Sequence, residues 1–107
     1  MKLSIIVPNY NKAETIKKTI KSIYSSNKIN KYHVEIIVVD DCSIDDSVLK
    51  IKKFPTINLI EFKKNSGAAK ARNKGIENSK GKYLLFIDSD AWFNKSTIET
   101  LKIKGGK

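Results

Sequence analysis

The sequence predicts an α/β fold with three layers, α/β/α, around a doubly wound, mainly parallel sheet. Short apolar runs alternate with helical stretches in the order β-α-β-α-β-α-β-α, and the loops between them are short. Right-handed crossovers between parallel strands place helices on both faces of such a sheet. The continuous apolar run Tyr83–Ile87 is typical of a strand buried on both faces. A chain of 107 residues has the size of one domain, so we assign 1–107 to a single domain.

Composition narrows the class of protein. The chain is 40% hydrophobic, which is enough for one core, and no apolar run approaches the roughly 18 residues of a membrane span. The start at Met1 lacks the apolar stretch of a signal peptide. The single cysteine, Cys42, excludes an internal disulfide and fits a reducing cytosol.

The net charge of +10 is almost entirely lysine, since Arg72 is the one arginine among 21 basic residues. Lysine is poorly suited to bidentate recognition of bases or phosphates. Many lysines fall on the predicted outer faces of helices, where a solvated surface explains them. The alternative is an anionic partner, either a membrane surface or a nucleic acid. The outward-facing set is Lys17, Lys18, Lys21, Lys50, Lys52 and Lys53.

The first strand is predicted at Leu3–Val7, closed by Pro8, which cannot donate to a sheet ladder. Asn11 and Glu14 have the spacing of a helix cap and its reciprocal partner. The helix that follows repeats apolar residues on one stripe, which we expect to be buried. That stripe is Ile16, Ile20, Ile23 and Tyr24.

The second strand is predicted at Val34–Val39 and runs into Asp40 and Asp41. Ser43 and Asp46 again match a capping pair, opening a second helix. The inner face of this helix is predicted to carry Val48, Leu49 and Ile51. A third strand is predicted at Ile57–Phe62. The alternation of its side chains turns Glu61 outward, as an edge strand allows, so we assign this strand to the edge of the sheet.

The third helix is predicted at Ala68–Asn78, with a face of small residues that lets it lie close to the sheet. Ala68, Ala71 and Gly75 form that face. After the fourth strand, Asn94 or Ser96 is predicted to cap a last helix. Its apolar residues are Ile98, Leu101 and Ile103.

In a parallel sheet the carboxyl ends of the strands meet at one edge, where such sheets bind ligands. Here these ends carry Tyr10, the Asp40-Asp41 pair, the Asn65–Gly67 turn and the Asp88-Ser89-Asp90 motif. The tyrosine could stack on a base, a carboxylate could accept from a base N–H, and amides at a glycine-started helix could meet phosphate. The last two carboxylates could hold a divalent cation. Together these groups suit a nucleoside diphosphate.

Each group also has a simpler explanation. Tyr10 could be a surface aromatic, the Asp40-Asp41 pair could cap the second helix, and Gly67 could be a turn residue. Arg72 could be an exposed helix residue, and the Asp88–Asp90 motif a solvated turn. The sequence contains neither a Gly-x-Gly-x-x-Gly nor a Walker phosphate loop and no Cys/His cluster, and its one histidine is assigned neither a ligand nor a base role.

Four segments, in order, resemble the N-terminal half of family 2 glycosyltransferases, whose fold is called GT-A. They are Ser4-Ile-Ile-Val-Pro-Asn-Tyr-Asn11, Val38-Val-Asp-Asp-Cys-Ser43 with Asp45 or Asp46, Asn65-Ser-Gly-Ala-Ala-Lys-Ala-Arg-Asn-Lys-Gly75, and Phe86-Ile-Asp-Ser-Asp90. The resemblance implies about four strands in the order 3-2-1-4. One departure is Cys42, which stands where the family more often has glycine or asparagine.

The resemblance also implies a role for individual residues. The base of a UDP-, GDP- or dTDP-sugar would lie against Pro8 and Tyr10 and hydrogen-bond to Asp41, with Asp40 more structural. The nucleotide-binding set would further include Gly67, Arg72, Asp88 and Ser89. Mn²⁺ or Mg²⁺ would bind at Asp90, with Asp88 contacting the ribose or a metal-bound water.

In inverting members of the family, a carboxylate further along the chain removes the acceptor hydroxyl proton. We expect this general base and the acceptor half to be absent from the 107 residues, because Glu99 is poorly placed. The predicted function is therefore nucleotide-sugar binding for a hexosyltransferase-type reaction, with no catalytic base assigned. The expected location is the cytoplasm or the cytoplasmic face of the membrane, with peripheral membrane contact.

Three alternatives belong to other classes of function. A non-catalytic nucleotide-binding or self-associating module would form a homo-oligomer through the surface that truncation exposes. A phosphoacceptor signalling domain would carry its acid pair after the first strand, where this chain has Pro8-Asn9-Tyr10. Nucleic-acid binding through the lysines is disfavoured, and steep salt dependence would mark it.

Overall fold

A computed structural model describes residues 2–25, 33–90 and 102–103 of the chain. The strands and helices alternate as the sequence predicts. In chain order they are β1 (Lys2–Asn9), α1 (Ile16–Ser25), β2 (His33–Asp40), α2 (Ser47–Ile51), β3 (Asn58–Glu61), α3 (Ala68–Asn78), β4 (Tyr83–Phe86) and β5 (Lys102–Ile103).

The sheet confirms the predicted topology, with four parallel strands in the order β3-β2-β1-β4. The two-residue strand β5 extends it beyond β4 in the antiparallel direction, with Ile103 opposite Tyr83. The placement of Ile103 on a last helix is therefore wrong, because the backbone at this position completes the open edge of β4. The rest of that predicted helix lies outside the described residues.

The central pair is β1 and β2, which run in register from Lys2 opposite His33 to Asn9 opposite Asp40. The prediction that Pro8 closes β1 is wrong. The backbone amide of Ile87 donates to the Ile6 carbonyl, so the backbone groups of Ile6 face β4. The backbone groups of Pro8, two residues later, face the same side. Because β4 is paired with β1 only as far as Ile6, the missing N–H of Pro8 leaves no ladder bond unmade.

Two clusters of buried side chains fill the two faces of the sheet and confirm the three-layer prediction. On one face, α1 and α2 pack against β1, β2 and β4 through residues such as Ile20, Ile51 and Val38. On the other face, Ala71 of α3 packs against Ile37 and Val39 of β2. No helix among the described segments is long and apolar enough to cross a membrane.

The stripe on α1 is buried at Ile16, Ile20 and Ile23, as predicted, but Tyr24 is 45% exposed and stacks on Phe54 instead. The predicted cap at Asn11 is also wrong. Asn11 has a φ of 50° and its side-chain oxygen accepts from the amide of Ile44, in a different loop. The helix starts only at Ile16, after a turn.

Helix α2 is a single short segment, and its predicted cap and inner face are partly wrong. Ser43 donates to Asp40 rather than capping the helix, and Asp46 at the start of α2 makes no side-chain capping bond. Ile51 is fully buried, whereas Leu49 is 65% exposed. Leu49 and Ile51 are two residues apart and so lie about 200° apart around the helix axis, which prevents them from sharing one buried face.

Helix α3 begins and ends where the sequence predicts, at Ala68 and Asn78. Two of its small residues, Ala71 and Gly75, are buried, but Ala68 is exposed. A Cβ placed at Gly75 would collide with the side chain of Ile6 in β1. Glycine is therefore what permits α3 to approach the central strand.

We expect Gly75→Ala to lower the free energy of unfolding by about 1 kcal/mol. Overpacking against the stiff, β-branched Ile6 costs about 1–3 kcal/mol, more than the roughly 1 kcal/mol that alanine gains over glycine inside a helix. Urea denaturation measures the change. Lys74→Ala, on the exposed face of the same helix, is the control and should be neutral or slightly stabilising. A Gly75→Ala protein as stable as the wild type would show that Ile6 yields freely.

Candidate functional site

A crevice of about 440 Å³ opens at the carboxyl ends of the central strands, beside the start of α3. All eight residues predicted to bind nucleotide or metal line it, although they come from four separate segments. They are Pro8, Tyr10, Asp41, Gly67, Arg72, Asp88, Ser89 and Asp90. The structure thus places the predicted residues together, while the role of each stays a prediction.

Asp40, the last residue of β2, is 2% exposed and joins the ends of the two central strands. One carboxylate oxygen accepts from the Asn9 side-chain amide at 2.8 Å and from the Ser43 hydroxyl at 2.6 Å. The other accepts from the Ser43 backbone amide at 2.9 Å. This supports the structural role expected of Asp40, since its lone pairs are largely used within the protein.

Asp41 is 5% exposed and organises the loop before α3. Its two oxygens accept from the backbone amides of Ser66 at 2.6 Å and Gly67 at 2.9 Å. Gly67 has a φ of 96°, a conformation that a side chain would strain. The alternative that this acid pair caps the second helix is wrong, because α2 starts only at Ser47.

The loop that carries Tyr10 is tied to the loop after β2. The backbone amide of Asn11 donates to the Ser43 hydroxyl at 2.9 Å, and that of Ala13 donates to Asp45 at 3.0 Å. Between these anchors and β1, Tyr10 keeps 45% of its surface exposed at the crevice. A ring held on a fixed backbone with a free face is suited to stacking.

The motif Asp88–Asp90 has two exposed carboxylates around a buried serine. Ser89 is 4% exposed, and its carbonyl accepts from the hydroxyls of Thr15 at 3.0 Å and Thr19 at 2.9 Å. These bonds fix the motif to the start of α1. The backbone of Ser89 therefore helps to position Asp88 and Asp90.

Each exposed carboxylate faces a basic side chain in the crevice. Arg72 Nη2 lies 3.9 Å from Asp88 Oδ1, and Lys12 Nζ lies 3.5 Å from Asp90 Oδ2. All four side chains are about half exposed or more, so these pairs are screened by solvent. The crevice thus holds positive and negative groups side by side.

The donor set fits a hard divalent cation that completes its coordination with a ligand. Within the part of the chain that the structure describes, no group of three or more His, Cys, Asp or Glu side chains could hold a metal. Mg²⁺ is commonly bound by one or two carboxylates together with substrate phosphates and water. Asp88 and Asp90 would be those two carboxylates.

Sequence reasoning did not single out Lys12 or Asn9, both of which line the crevice. Lys12 is one of many lysines, and its pairing with Asp90 arises only from the fold. Asn9 is 1% exposed, and its Oδ1 accepts no hydrogen bond from any described residue. Its place directly before Tyr10, at a strand end, was the available signal.

Fold and site together define an α/β ligand-binding domain with a carboxylate-bearing crevice at the carboxyl edge of its sheet. Residues 4–102 match the family model described as "Glycosyl transferase family 2". The chain belongs to this family, as its sequence motifs indicated.

Two relatives illustrate the similarity. The chain is 34% identical over 103 residues to the poly(ribitol-phosphate) beta-N-acetylglucosaminyltransferase TarS of Staphylococcus aureus, covering 92% of this chain and 18% of TarS. It is 37% identical over 103 residues to the glycosyltransferase GlyA of Streptococcus pneumoniae, covering 94% of this chain and 14% of GlyA. The chain therefore spans less than a fifth of either relative.

Solved structures agree with the sequence comparison. S. aureus TarS 1-349 in complex with UDP-GlcNAc superimposes with a TM-score of 0.83 and 33% identity, over 92% of this chain and 29% of that one. The mannosyltransferase PcManGT from Pyrobaculum calidifontis, in complex with GDP-Man and Mn²⁺, gives 0.78 and 26%, over 87% of this chain and 28% of that one. The GT-A fold is thus confirmed.

The pKa of Asp45, which anchors the Tyr10 loop, responds to two opposing effects. Burial raises it, but hydrogen bonds from the Ser47 side chain and from the backbone amides of Ser47 and Ala13 outweigh this and hold the pKa below its ordinary value. A depressed folded-state pKa gives stability that is present above the unfolded pKa and lost as the pH falls through the folded one. We expect Asp45→Asn to lose less stability than the wild type on acidification from about pH 5 to about pH 2.

Thermal unfolding across that pH range measures the difference. Asp46→Asn, the same change at the next residue, is the matched control because Asp46 makes no side-chain capping bond. Parallel pH curves for wild type and Asp45→Asn would show that Asp45 does not anchor the loop.

Proposed function

We propose that this chain is the nucleotide-sugar-binding part of a metal-dependent, inverting glycosyltransferase of the hexosyltransferase type. One observation carries the proposal: a single crevice gathers an exposed aromatic, a buried carboxylate, the start of a helix preceded by glycine, and two exposed carboxylates. The complexes of TarS with UDP-GlcNAc and of PcManGT with GDP-Man and Mn²⁺ support it, since both proteins share this fold. The donor would be a UDP-, GDP- or dTDP-sugar.

The base would bind between Pro8, Tyr10 and Asp41. Tyr10 offers an exposed ring for stacking, and Pro8 borders it on β1. A carboxylate has about four lone-pair sites, so Asp41 can accept from a base N–H while it keeps both loop amides. Because Asp41 is buried, that hydrogen bond would be formed away from competing water.

The diphosphate would lie between the start of α3 and Arg72. Amides at a helix N-terminus attract anions, and Gly67 has open space where a side chain would stand. Arg72, two-fifths exposed or more, can turn from Asp88 toward phosphate oxygens. These groups would orient the donor with its anomeric carbon beyond the phosphates.

Mn²⁺ or Mg²⁺ would be held by Asp90, with Asp88 at the ribose or at a metal-bound water, and would act as a Lewis acid that stabilises the leaving diphosphate. In the reaction, the acceptor oxygen forms a bond to the anomeric carbon from the face opposite the diphosphate. The bond to the phosphate oxygen breaks, and its electron pair leaves with the diphosphate. The acceptor proton passes to a general base.

None of the described residues is assigned as that base. The buried Asp40 and Asp41 are committed to hydrogen bonds, and the exposed pair is assigned to the metal and ribose. Glu99 lies outside the described residues. We therefore expect donor binding with poor transfer or none from these 107 residues.

The cytoplasm, or the cytoplasmic face of the membrane, remains the proposed location, as a lone cysteine suits a reducing compartment. Peripheral membrane contact through the lysines and homo-oligomerisation also remain proposals. Exposed apolar side chains such as Ile44, 89% exposed, and Leu49 would favour either.

Titration calorimetry with UDP, GDP and dTDP, each with and without Mn²⁺, tests the proposal. We expect metal-dependent binding of at least one nucleotide and loss of the metal-dependent part in Asp90→Asn. Asp46→Asn removes the same charge outside the crevice and should bind as the wild type does. A folded protein that binds none of the three with Mn²⁺ would overturn the proposed function.

The role of Tyr10 has a separate test. Tyr10→Ala should weaken nucleotide binding about 5- to 150-fold, because base stacking on an aromatic contributes about 1–3 kcal/mol. Tyr24→Ala is the control, since Tyr24 has the same exposure, 45%, but lies outside the crevice. Equal affinities for both variants would exclude stacking on Tyr10.

A further inference from the structure

The pairing of Lys12 with Asp90 places a positive charge at the carboxylate proposed to bind metal. The two charged atoms lie 3.5 Å apart, within the crevice. A divalent cation bound to Asp90 at about 2.1 Å would stand close to the ammonium group and repel it. Lys12 and a metal ion therefore compete for one carboxylate.

The backbone on both sides of Lys12 is fixed, so the competition concerns its side chain alone. The amide of Asn11 is bonded to Ser43, and the amide of Ala13 to Asp45. The Ala13 carbonyl also accepts from Lys50 Nζ at 2.7 Å. Since the loop cannot carry Lys12 away, an ammonium group expelled from Asp90 stays at the crevice.

We propose that Lys12 exchanges partners: it neutralises Asp90 when no cation is bound and pairs with the diphosphate when the metal takes Asp90. The inference rests on the proposed function and adds Lys12 to the donor-binding residues. A lysine suits the exchange because its compact charge sits on a flexible stem. Its side chain is 48% exposed, so it can move without unpacking the core.

A consequence is that metal and diphosphate bind cooperatively. Metal alone must displace Lys12 without offering it a new partner, whereas metal with diphosphate provides one. Coupling between two ligands is reciprocal, so each raises the affinity of the protein for the other by the same factor. Lys12 supplies part of that factor.

The test is Lys12→Met, measured first with Mn²⁺ alone by the electron paramagnetic resonance signal of free Mn²⁺. Removing a half-exposed competitor should tighten Mn²⁺ binding about two- to fivefold. The nucleotide that binds the wild type most tightly among UDP, GDP and dTDP is then added. The factor by which it raises Mn²⁺ affinity should fall about tenfold in the variant, because both effects of Lys12 are lost.

Lys17→Met is the matched control, since Lys17 is an exposed α1 residue away from the crevice and the change in net charge is the same. Denaturation curves verify that both variants are folded. If Mn²⁺ alone binds equally to the two variants, the exchange is refuted while the proposed function stands. If the wild type binds none of the three nucleotides in the presence of Mn²⁺, the proposed function fails, and the exchange with it.

Discussion

Two adjacent buried carboxylates constrain the whole carboxyl edge of this sheet. Asp40 and Asp41 are 2% and 5% exposed, and a buried charge is costly unless hydrogen bonds satisfy it. Asp40 takes its donors from Asn9 and Ser43, whereas Asp41 takes them from the loop before α3. Satisfying both acids therefore draws the ends of β1 and β2 and the start of α3 to one place. The crevice is the space that remains between them.

Local patterns in the sequence predicted the layers, and the resemblance to the family supplied the strand order and eight of the residues that line the crevice. Apolar periodicity identifies strands and helices, and right-handed crossovers then bring the strand ends to one edge. Helix α3 was predicted at both ends, since Gly67 precedes it and small residues mark its inner face. The predicted binding residues follow from topology, so they converge even though they lie far apart in the chain.

What the sequence could not supply are bonds between loops. By spacing, Asn11 and Ser43 match helix caps. Instead, the Asn11 side chain accepts from Ile44, about thirty residues away, and the Ser43 hydroxyl donates to Asp40 and accepts from the amide of Asn11. Local and distant partners compete for the same polar atoms, and spacing alone does not decide between them. The pairing of Lys12 with Asp90 is likewise a contact between distant loops, so the sequence does not distinguish Lys12 from the other lysines.

The position of β4 beside β1 has a consequence for folding. β1 pairs with β2 across a moderate loop, but Leu3 pairs with Tyr83 across almost the whole described chain. Because closing a longer loop costs more entropy, contacts of high sequence separation tend to form late. The β1-β2-β3 part of the sheet is therefore expected to assemble before β4 docks. The side of the crevice that carries Tyr10 and Asp41 would thus form first. The exposed carboxylates of Asp88 and Asp90 would reach the crevice only in the last step of folding.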